Sequence, residues 1–188
     1  MASAAIYHQL VRDYYEALYR FAYRLSGSSN DASDLVQETY QLAFESIHQL
    51  QRVESARSWL FTILVNLYRQ QCRRNTALHY YPPEALADCS ETREPQEVSE
   101  EWESERIDPQ QLQAAIQNLD EDFRIPLLLH YMEGFKYREI AEQLGIPIGT
   151  VMSRINRAKE QLRRLLGLHK DMGRGPRTEV RDVRHAMP

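Results

Sequence analysis

The sequence predicts an all-α protein in which two small helical domains are joined by an acidic, flexible linker. Apolar residues recur at three- and four-residue steps in both flanking parts of the chain, which is the period of one helical face, and no credible strand alternation interrupts them. Residues 84–108 hold ten Asp or Glu against two Lys or Arg. We therefore expect one domain at 1–83, the linker at 84–108, a second domain at 109–168 and a disordered tail at 169–188.

The first domain begins with two amphipathic helices. Residues 6–25 place their apolar side chains on one stripe, and Gly27, which readily adopts a positive φ, is expected to end the helix. Residues 31–48 repeat the pattern, with Asn30 or Asp31 as the expected N-cap. Acidic residues in the first turn of such a helix are stabilised by the helix dipole.

A third helix and a proline pair complete the first domain. Residues 56–74 form a further apolar stripe, and the place of Trp59 on it predicts a core residue first and a base-stacking residue second. Pro82 and Pro83 are expected to end the domain because neither can donate a backbone hydrogen bond. Beyond them periodicity is lost, and the net charge of −8 over residues 84–108 favours an extended, self-repelling segment.

The second domain is predicted to open with two short helices. Apolar residues between Leu112 and Leu119 mark the first, and those between Phe123 and Tyr131 mark the second. Pro126 lies in the first turn or two of this second helix, where proline does least harm. A break follows at Gly134.

Residues 136–166 have the spacing of a helix-turn-helix. A short helix is expected to end at Gly145, and a turn over residues 146–149 leads into a second helix. Ala141 is small where the two helices must approach closely. The residues of the second helix predicted to face the core are Val151, Ile155, Ala158, Leu162 and Leu165.

The opposite face of that second helix has side chains typical of a helix that binds DNA. Thr150, Ser153, Arg154 and Arg157 fall there at helical spacing. Hydroxyls and arginines suit the anchoring of phosphates and the bidentate reading of guanine in a major groove. A solvated face on an ordinary helix pair is the alternative interpretation.

Composition argues against several other classes of protein. No apolar run approaches the roughly 20 residues that span a bilayer, and the N-terminus lacks a basic and apolar signal pattern. Cys72 and Cys89 have no metal-binding spacing and are expected to be reduced thiols of a cytoplasmic protein. The six histidines form no His-x-x-x-His pair, and no glycine-rich phosphate loop occurs, so no catalytic residue, cofactor or metal site is predicted.

Segments of both domains resemble one known family. Residues 148–158, Ile-Gly-Thr-Val-Met-Ser-Arg-Ile-Asn-Arg-Ala, resemble the recognition helix in the fourth conserved region of extracytoplasmic-function (ECF) sigma factors, and residues 119–141 resemble the helices before it. Residues 31–40 resemble the acidic helix of the second conserved region, and residues 58–66 resemble the helix that follows it. The resemblance covers both predicted domains in the family's order. It implies a region 2 helical bundle, a region 4 helix-turn-helix, and a transcription initiation factor without enzymatic activity.

The resemblance also implies three sets of functional residues. The upstream (−35) promoter element would be contacted by Thr150, Met152, Ser153, Arg154, Asn156, Arg157 and Lys159. The downstream (−10) element, read as an unstacked base of the melted strand, would be contacted by Gln49, Gln51, Arg52, Arg57, Asn66, Arg69, Arg73 and Arg74. Core polymerase would bind the acidic surface formed by Asp34, Gln37, Glu38, Gln41 and Glu45.

The implied partners are core RNA polymerase, promoter DNA and an anti-sigma protein, with no membrane insertion. One departure concerns Met152, where the family often has a second basic residue, and another concerns Asn156, where it often has a bulky one. These two departures concern the preferred −35 sequence. They do not change the expected fold.

Two alternatives stay open on the sequence alone. The acidic linker is either plain disorder or a nucleic-acid mimic that occupies a basic channel of the polymerase. The chain could also be a free-standing helix-turn-helix regulator. However, residues 109–166 carry a net charge of only +1, and three cations on the recognition helix would give a salt slope of roughly −2.7. Such weak electrostatics favour a factor whose affinity comes mainly from a larger partner.

Overall fold

The computed structural model describes residues 2–50, 52–78 and 107–168. These ranges contain helices and no strand, so the all-α prediction is confirmed for the residues described. The helices are α1 (Ala2–Ser26), α2 (Ser29–Glu45), α3 (Ala56–Leu78), α4 (Pro109–Gln117), α5 (Glu121–Tyr131), α6 (Tyr137–Leu144) and α7 (Ile148–Leu165). Two short 3-10 turns, Ile47–Gln49 and Val53–Ser55, lie between α2 and α3. The Pro82-Pro83 boundary, the tail and most of the linker lie outside the described residues.

The turn between α1 and α2 is tighter than the sequence indicated. Gly27 adopts a φ of 74° and ends α1, as predicted. The predicted N-cap of α2 was wrong, because Ser28 and not Asn30 or Asp31 takes this position. The Ser28 Oγ accepts a hydrogen bond of 3.3 Å from the Asp31 backbone N–H. The left-handed glycine reverses the chain within one residue, so α2 can begin immediately after it.

Helices α1, α2 and α3 pack into the first domain around their predicted apolar stripes. Phe21 and Phe61 are fully buried and meet edge to face, with ring centroids 5.2 Å apart. The Tyr40 hydroxyl reaches the Leu10 carbonyl at 3.3 Å, which links α2 to α1. Burial raises the pKa of the Tyr40 phenol well above its ordinary value. Trp59 is only half-buried, so it contributes to the core and also reaches the surface.

Helices α4 to α7 form the second domain, with α7 packed against α5 and α6. Asp108 caps α4, since its carboxylate accepts a hydrogen bond from the Gln110 N–H at 3.3 Å. Pro126 is the sixth residue of α5 and is buried in its second turn. The described helices include none that is both long and apolar enough to cross a membrane.

The helix-turn-helix is present as α6 and α7. Gly145 ends α6 with a φ of 65°, and the Ile146 N–H bonds to the Ala141 carbonyl at 3.1 Å. The turn is shorter than expected, because α7 already begins at Ile148, directly after Pro147.

The core stripe of α7 is confirmed in its first three turns and departs from the prediction in the last. Val151, Ile155 and Ala158 are buried, and Leu162 is half-buried. Leu165 was predicted to face the core but is 49% exposed, because the final turn of α7 extends beyond the helices that cover its start.

The two domains lie against each other rather than apart. Helix α1 packs on α4 and α5, and α3 packs on α5 and α6. The buried side chains of both domains form one continuous hydrophobic cluster. We call the surface where these five helices meet the domain interface. No pattern in the sequence predicted this interface.

Candidate nucleic-acid and polymerase interfaces

The outer face of α2 carries an acidic and amide surface. Helix α2 buries Leu35, Val36 and Thr39 against the first domain, so its remaining face is left in solvent. The predicted polymerase-binding residues are all exposed on it, namely Asp34, Gln37, Glu38, Gln41 and Glu45. Carboxylates held on a rigid helix in this way can accept charge-assisted hydrogen bonds from arginines of a partner.

A pocket of about 260 Å³ lies between α2, the first 3-10 turn and α3. Gln49 and Asn66, two of the residues predicted to contact the −10 element, line it together with the indole of Trp59. Ser46 and Gln70 complete its polar lining and were missed by the sequence reasoning. Amide and hydroxyl groups beside an aromatic ring suit the reading of an unstacked base, because they combine hydrogen bonding with stacking.

The arginines predicted to contact the −10 element differ in their exposure to solvent. Arg52, Arg73 and Arg74 are exposed. Arg57 and Arg69 are only partly exposed, because both lie at the domain interface. Gln51 lies outside the described residues.

Arg57 is held by the second domain. Its Nη2 lies 3.0 Å from the Glu133 Oε2 and also donates to the Glu133 backbone carbonyl. The guanidinium stacks 4.6 Å from the ring centroid of Phe135, a cation–π contact. Burial raises the pKa of the Glu133 carboxyl, and the hydrogen bond and charge of Arg57 oppose that shift.

A second cleft, of about 480 Å³, joins two of the predicted surfaces. Asp34 of the predicted polymerase surface and Arg74 of the predicted −10 surface both line it. The sequence treated these residues as parts of separate sites. Because they share a cleft, the predicted polymerase and DNA surfaces lie side by side on the first domain.

Fewer of the predicted DNA-contacting residues of α7 are fully exposed than the sequence indicated. Ser153, Asn156 and Arg157 are exposed, whereas Thr150, Met152 and Lys159 are half-buried. The Arg154 Nη1 lies 3.0 Å from the Asp122 Oδ1 at the start of α5, which leaves its side chain 23% exposed. Of the two arginines predicted to contact DNA from α7, Arg157 is therefore the more exposed.

An apolar groove of about 300 Å³ lies on the second domain beside α7. Its floor is built from α4, α5 and α7, and Arg24 and Lys159 provide the charged groups along it. Lys159, predicted to contact DNA, thus lines a groove as well as the recognition helix. Within the residues described, no three His, Cys, Asp or Glu side chains gather in a way that could hold a metal ion.

Comparison with known proteins agrees with this geometry. Residues 10–77 match the family model for sigma-70 region 2, and residues 109–162 match the model for sigma-70 region 4. The chain is 36% identical over 173 residues to the ECF RNA polymerase sigma factor SigE of Mycolicibacterium smegmatis, covering 89% of this chain and 64% of that relative. It therefore spans less than two thirds of that relative's length.

Two further proteins match along most of their length. The ECF RNA polymerase sigma factor EcfG of Rhodopseudomonas palustris is 33% identical over 167 residues, which cover 89% of this chain and 88% of EcfG. The solved structure of the sigma factor RpoE in complex with the anti-sigma factor NepR from Bartonella quintana has a TM-score of 0.64 and 27% identity, covering 87% and 98% of the two chains. Both sigma-70 regions match in order, and EcfG is similar along most of its length. The chain therefore belongs to the ECF sigma factors of the sigma-70 family.

Proposed function

We propose that this sigma factor binds core RNA polymerase through α2 and reads a promoter at two separate elements. The first domain would read the −10 element, and α7 would read the −35 element in a major groove. The observation that supports this division most directly is the amide-lined pocket of Gln49, Asn66 and Trp59, which lies beside the acidic surface of α2. A free-standing regulator would need neither feature.

The −10 step follows from the chemistry of that pocket. A base that leaves the stack of the melted strand would enter beside Trp59 and meet the amides of Gln49 and Asn66. The exposed cations Arg73 and Arg74 would hold the strand's phosphates. No covalent chemistry is required of the protein, since base capture and phosphate binding alone favour the melted state.

The −35 step follows from the exposed face of α7. Ser153 donates a hydrogen bond from its Oγ to the Thr150 carbonyl at 3.0 Å, so part of its hydrogen-bonding capacity is already used within the helix. Arg157 and Asn156 remain exposed and carry the donors that recognise guanine and adenine edges. We therefore assign base reading mainly to these two residues.

We also infer an anti-sigma partner and a place in the cytoplasm, where polymerase and promoter are found. The Bartonella quintana relative was solved with the anti-sigma factor NepR, which supports a partner of this class for the present chain.

The experiment that tests this function is run-off transcription with purified core polymerase. The promoter would first be found by mapping transcript starts after overexpression of the protein. The chain should direct transcription from that promoter, and Glu38→Lys should abolish binding to core because it reverses charge in the middle of the α2 surface. Glu16→Lys, an equal change on an exposed residue of α1, is the matched control and should bind normally. Equal binding by the two variants would contradict the assignment of α2.

A further inference from the structure

The side chain of Arg154 leaves the recognition helix at the border between its buried and exposed faces. Arg154 comes three residues after the buried Val151 and three residues before the exposed Arg157. With about 3.6 residues in each helical turn, a step of three residues rotates the side chain by about 60° around the axis. Arg154 therefore lies between the core stripe of α7 and its exposed face.

A carboxylate of α5 meets Arg154 at this border. The Arg154 Nη1 lies 3.0 Å from the Asp122 Oδ1, and the two side chains are 23% and 44% exposed. Asp122 lies in the first turn of α5, where the helix dipole also favours a negative charge. Two positive influences therefore act on this carboxylate, the N-terminal end of its own helix and the guanidinium of α7. We call this contact the α5–α7 ion pair.

The ion pair lies where α7 meets both of the helices that support it. Arg154 and Asp122 line a narrow crevice together with Ile125 and Pro126 of α5 and Leu144 of α6. The aliphatic stem of an arginine can lie along such apolar groups while its charged end forms an ion pair. Both partners belong to the second domain, so the α5–α7 ion pair does not depend on how the two domains are arranged.

An ion pair at this place adds direction to the packing of α7. The stripe that α7 buries is apolar, and hydrophobic contacts are non-directional. An ion pair between fixed positions on two helices is directional, because it is lost when one helix rotates or slides against the other. The contact of Asp122 with Arg154 therefore favours one rotation of α7 on α5, and with it one orientation of Asn156 and Arg157.

We infer that Asp122 and Arg154 are positioning residues for promoter recognition and that Arg154 does not itself read a base. The ion pair holds α7 in the orientation in which Asn156 and Arg157 reach the base edges of the −35 element. Arg154 was expected from the sequence to contact DNA directly, and the position of its guanidinium against α5 favours this different role. The DNA part of the inference rests on the proposed function, whereas the ion pair can be measured in the chain alone.

Hydrogen exchange of the whole chain, without DNA, tests the ion pair. Asp122→Asn removes one of its charges. Asp120→Asn is the matched control, because Asp120 is the N-cap residue of α5 but its side chain forms no capping hydrogen bond. We expect peptides of α7 to exchange severalfold faster in Asp122→Asn than in Asp120→Asn, since the helix has lost a directional contact. Equal exchange in the two variants would overturn the inference.

Run-off transcription with core polymerase tests the positioning role. Asp122→Asn and Arg154→Gln should each lower initiation at the cognate promoter severalfold, a modest loss because ion pairs between partly exposed groups are weak. The double variant should lose no more than either single variant, since both single changes break the same contact. If Arg154→Gln lowers initiation while Asp122→Asn leaves it unchanged, Arg154 acts on DNA directly and the inference is wrong.

Base preference and a conservative variant separate positioning from reading. On a panel of single substitutions in the −35 element, Asp122→Asn and Arg154→Gln should keep the wild-type ranking, whereas Arg157→Ala should lose the preference at one position. Arg154→Lys keeps the charge that Asp122 needs and should initiate close to the wild-type level, although lysine does not replace arginine in bidentate reading of a base. Loss of preference at one base pair in Arg154→Gln, or an equal loss of initiation in Arg154→Lys and Arg154→Gln, would overturn the positioning role. A wild-type chain that directs no transcription at all would instead count against the proposed function.

Discussion

At the scale of single residues, the neighbours of an arginine decide what it can bind. Arg57, Arg154 and Arg157 all carry the same group, yet two of them are paired with carboxylates and one is exposed. An arginine already paired must exchange one anion for another before it meets a phosphate, whereas an exposed arginine exchanges only water and small ions. Sequence spacing treats the three as equivalent, and the structure does not.

Arg157, the exposed arginine among the predicted DNA contacts of α7, should carry sequence reading. We expect Arg157→Ala to lower promoter-specific initiation by roughly 1–3 kcal/mol, the usual loss for one base contact. Arg164→Ala removes the same charge from the last turn of the same helix, where α7 has passed the reading face, and should have little effect. Run-off transcription on matched and mutated −35 sequences measures both variants. Equal losses would indicate that Arg157 contributes only charge.

Cys72 should react slowly with alkylating agents. Burial raises the pKa of its thiol to about 11, and a hydrogen bond with Glu121 of α5 adds to this shift. Because the thiolate is the nucleophile, alkylation by iodoacetamide at pH 7.5 should be at least roughly tenfold slower in the folded chain than in denaturant. Mass spectrometry of the Cys72 peptide gives both rates. Similar rates in the two states would show that the thiol is not shielded.

The same shift has a consequence for stability. A thiol whose pKa is raised on folding stabilises the protein below its unfolded pKa, and this contribution is lost as the pH rises through the folded value. The free energy of unfolding should therefore fall between about pH 8.5 and pH 11 by more in the wild type than in Cys72→Ala. Denaturant titration across this range measures the difference.

At the scale of elements, the C-terminal end of α1 is stabilised both by the left-handed Gly27 and by Gln117 of the second domain. Gly27 has a φ of 74°, and a Cβ built on it would lie 2.9 Å from the Gln117 Cδ. Gly167 has a φ of 70° but has no atom within 4 Å of such a Cβ. Both glycines have a positive φ, but only Gly27 has a side chain, that of Gln117, where a Cβ would lie.

These two glycines therefore make a matched pair of substitutions. Alanine at either position should lower the free energy of unfolding by about 1 kcal/mol because of the left-handed backbone. Gly27→Ala should lose about 1 kcal/mol more, because the methyl group displaces the Gln117 amide from the carbonyls it caps. Denaturant unfolding of both variants measures the gap. Equal losses would mean that Gln117 stabilises little.

At the scale of the whole molecule, charge is segregated along the chain. The two domains are nearly neutral, and residues 84–108 carry a net charge of −8. We retain the hypothesis that this segment occupies a basic channel of the polymerase and is displaced by nascent RNA.

Neutralising the linker tests that hypothesis. Replacing Glu97, Glu100, Glu101 and Glu103 by glutamine should lower the ratio of abortive to productive transcripts, because less negative charge competes with the RNA. A linker of scrambled order and unchanged composition is the control and should behave like the wild type. Transcript lengths on a sequencing gel give the ratio, and an unchanged ratio would leave the linker as a simple tether.

The sequence by itself determined the helices, the helix-turn-helix and the family. These features depend on local periodicity and on glycines such as Gly27 and Gly145, whose conformational freedom is a property of the residue. It also placed the acidic side chains of α2 in solvent correctly, since the opposite stripe is apolar. Its local errors were small: the cap of α2 moved by two or three residues to Ser28, and one residue of the α7 core stripe, Leu165, is exposed.

Only the tertiary structure decided how the two domains meet. The contacts of Arg124, Gln117 and Glu133 join residues more than 40 positions apart, and no period along the chain encodes such a pairing. Their side chains are polar and satisfy carbonyls or charges of another element, so on the sequence they are indistinguishable from solvated residues. That packing also decides that Arg57, a predicted DNA contact, is already paired with a carboxylate of the second domain.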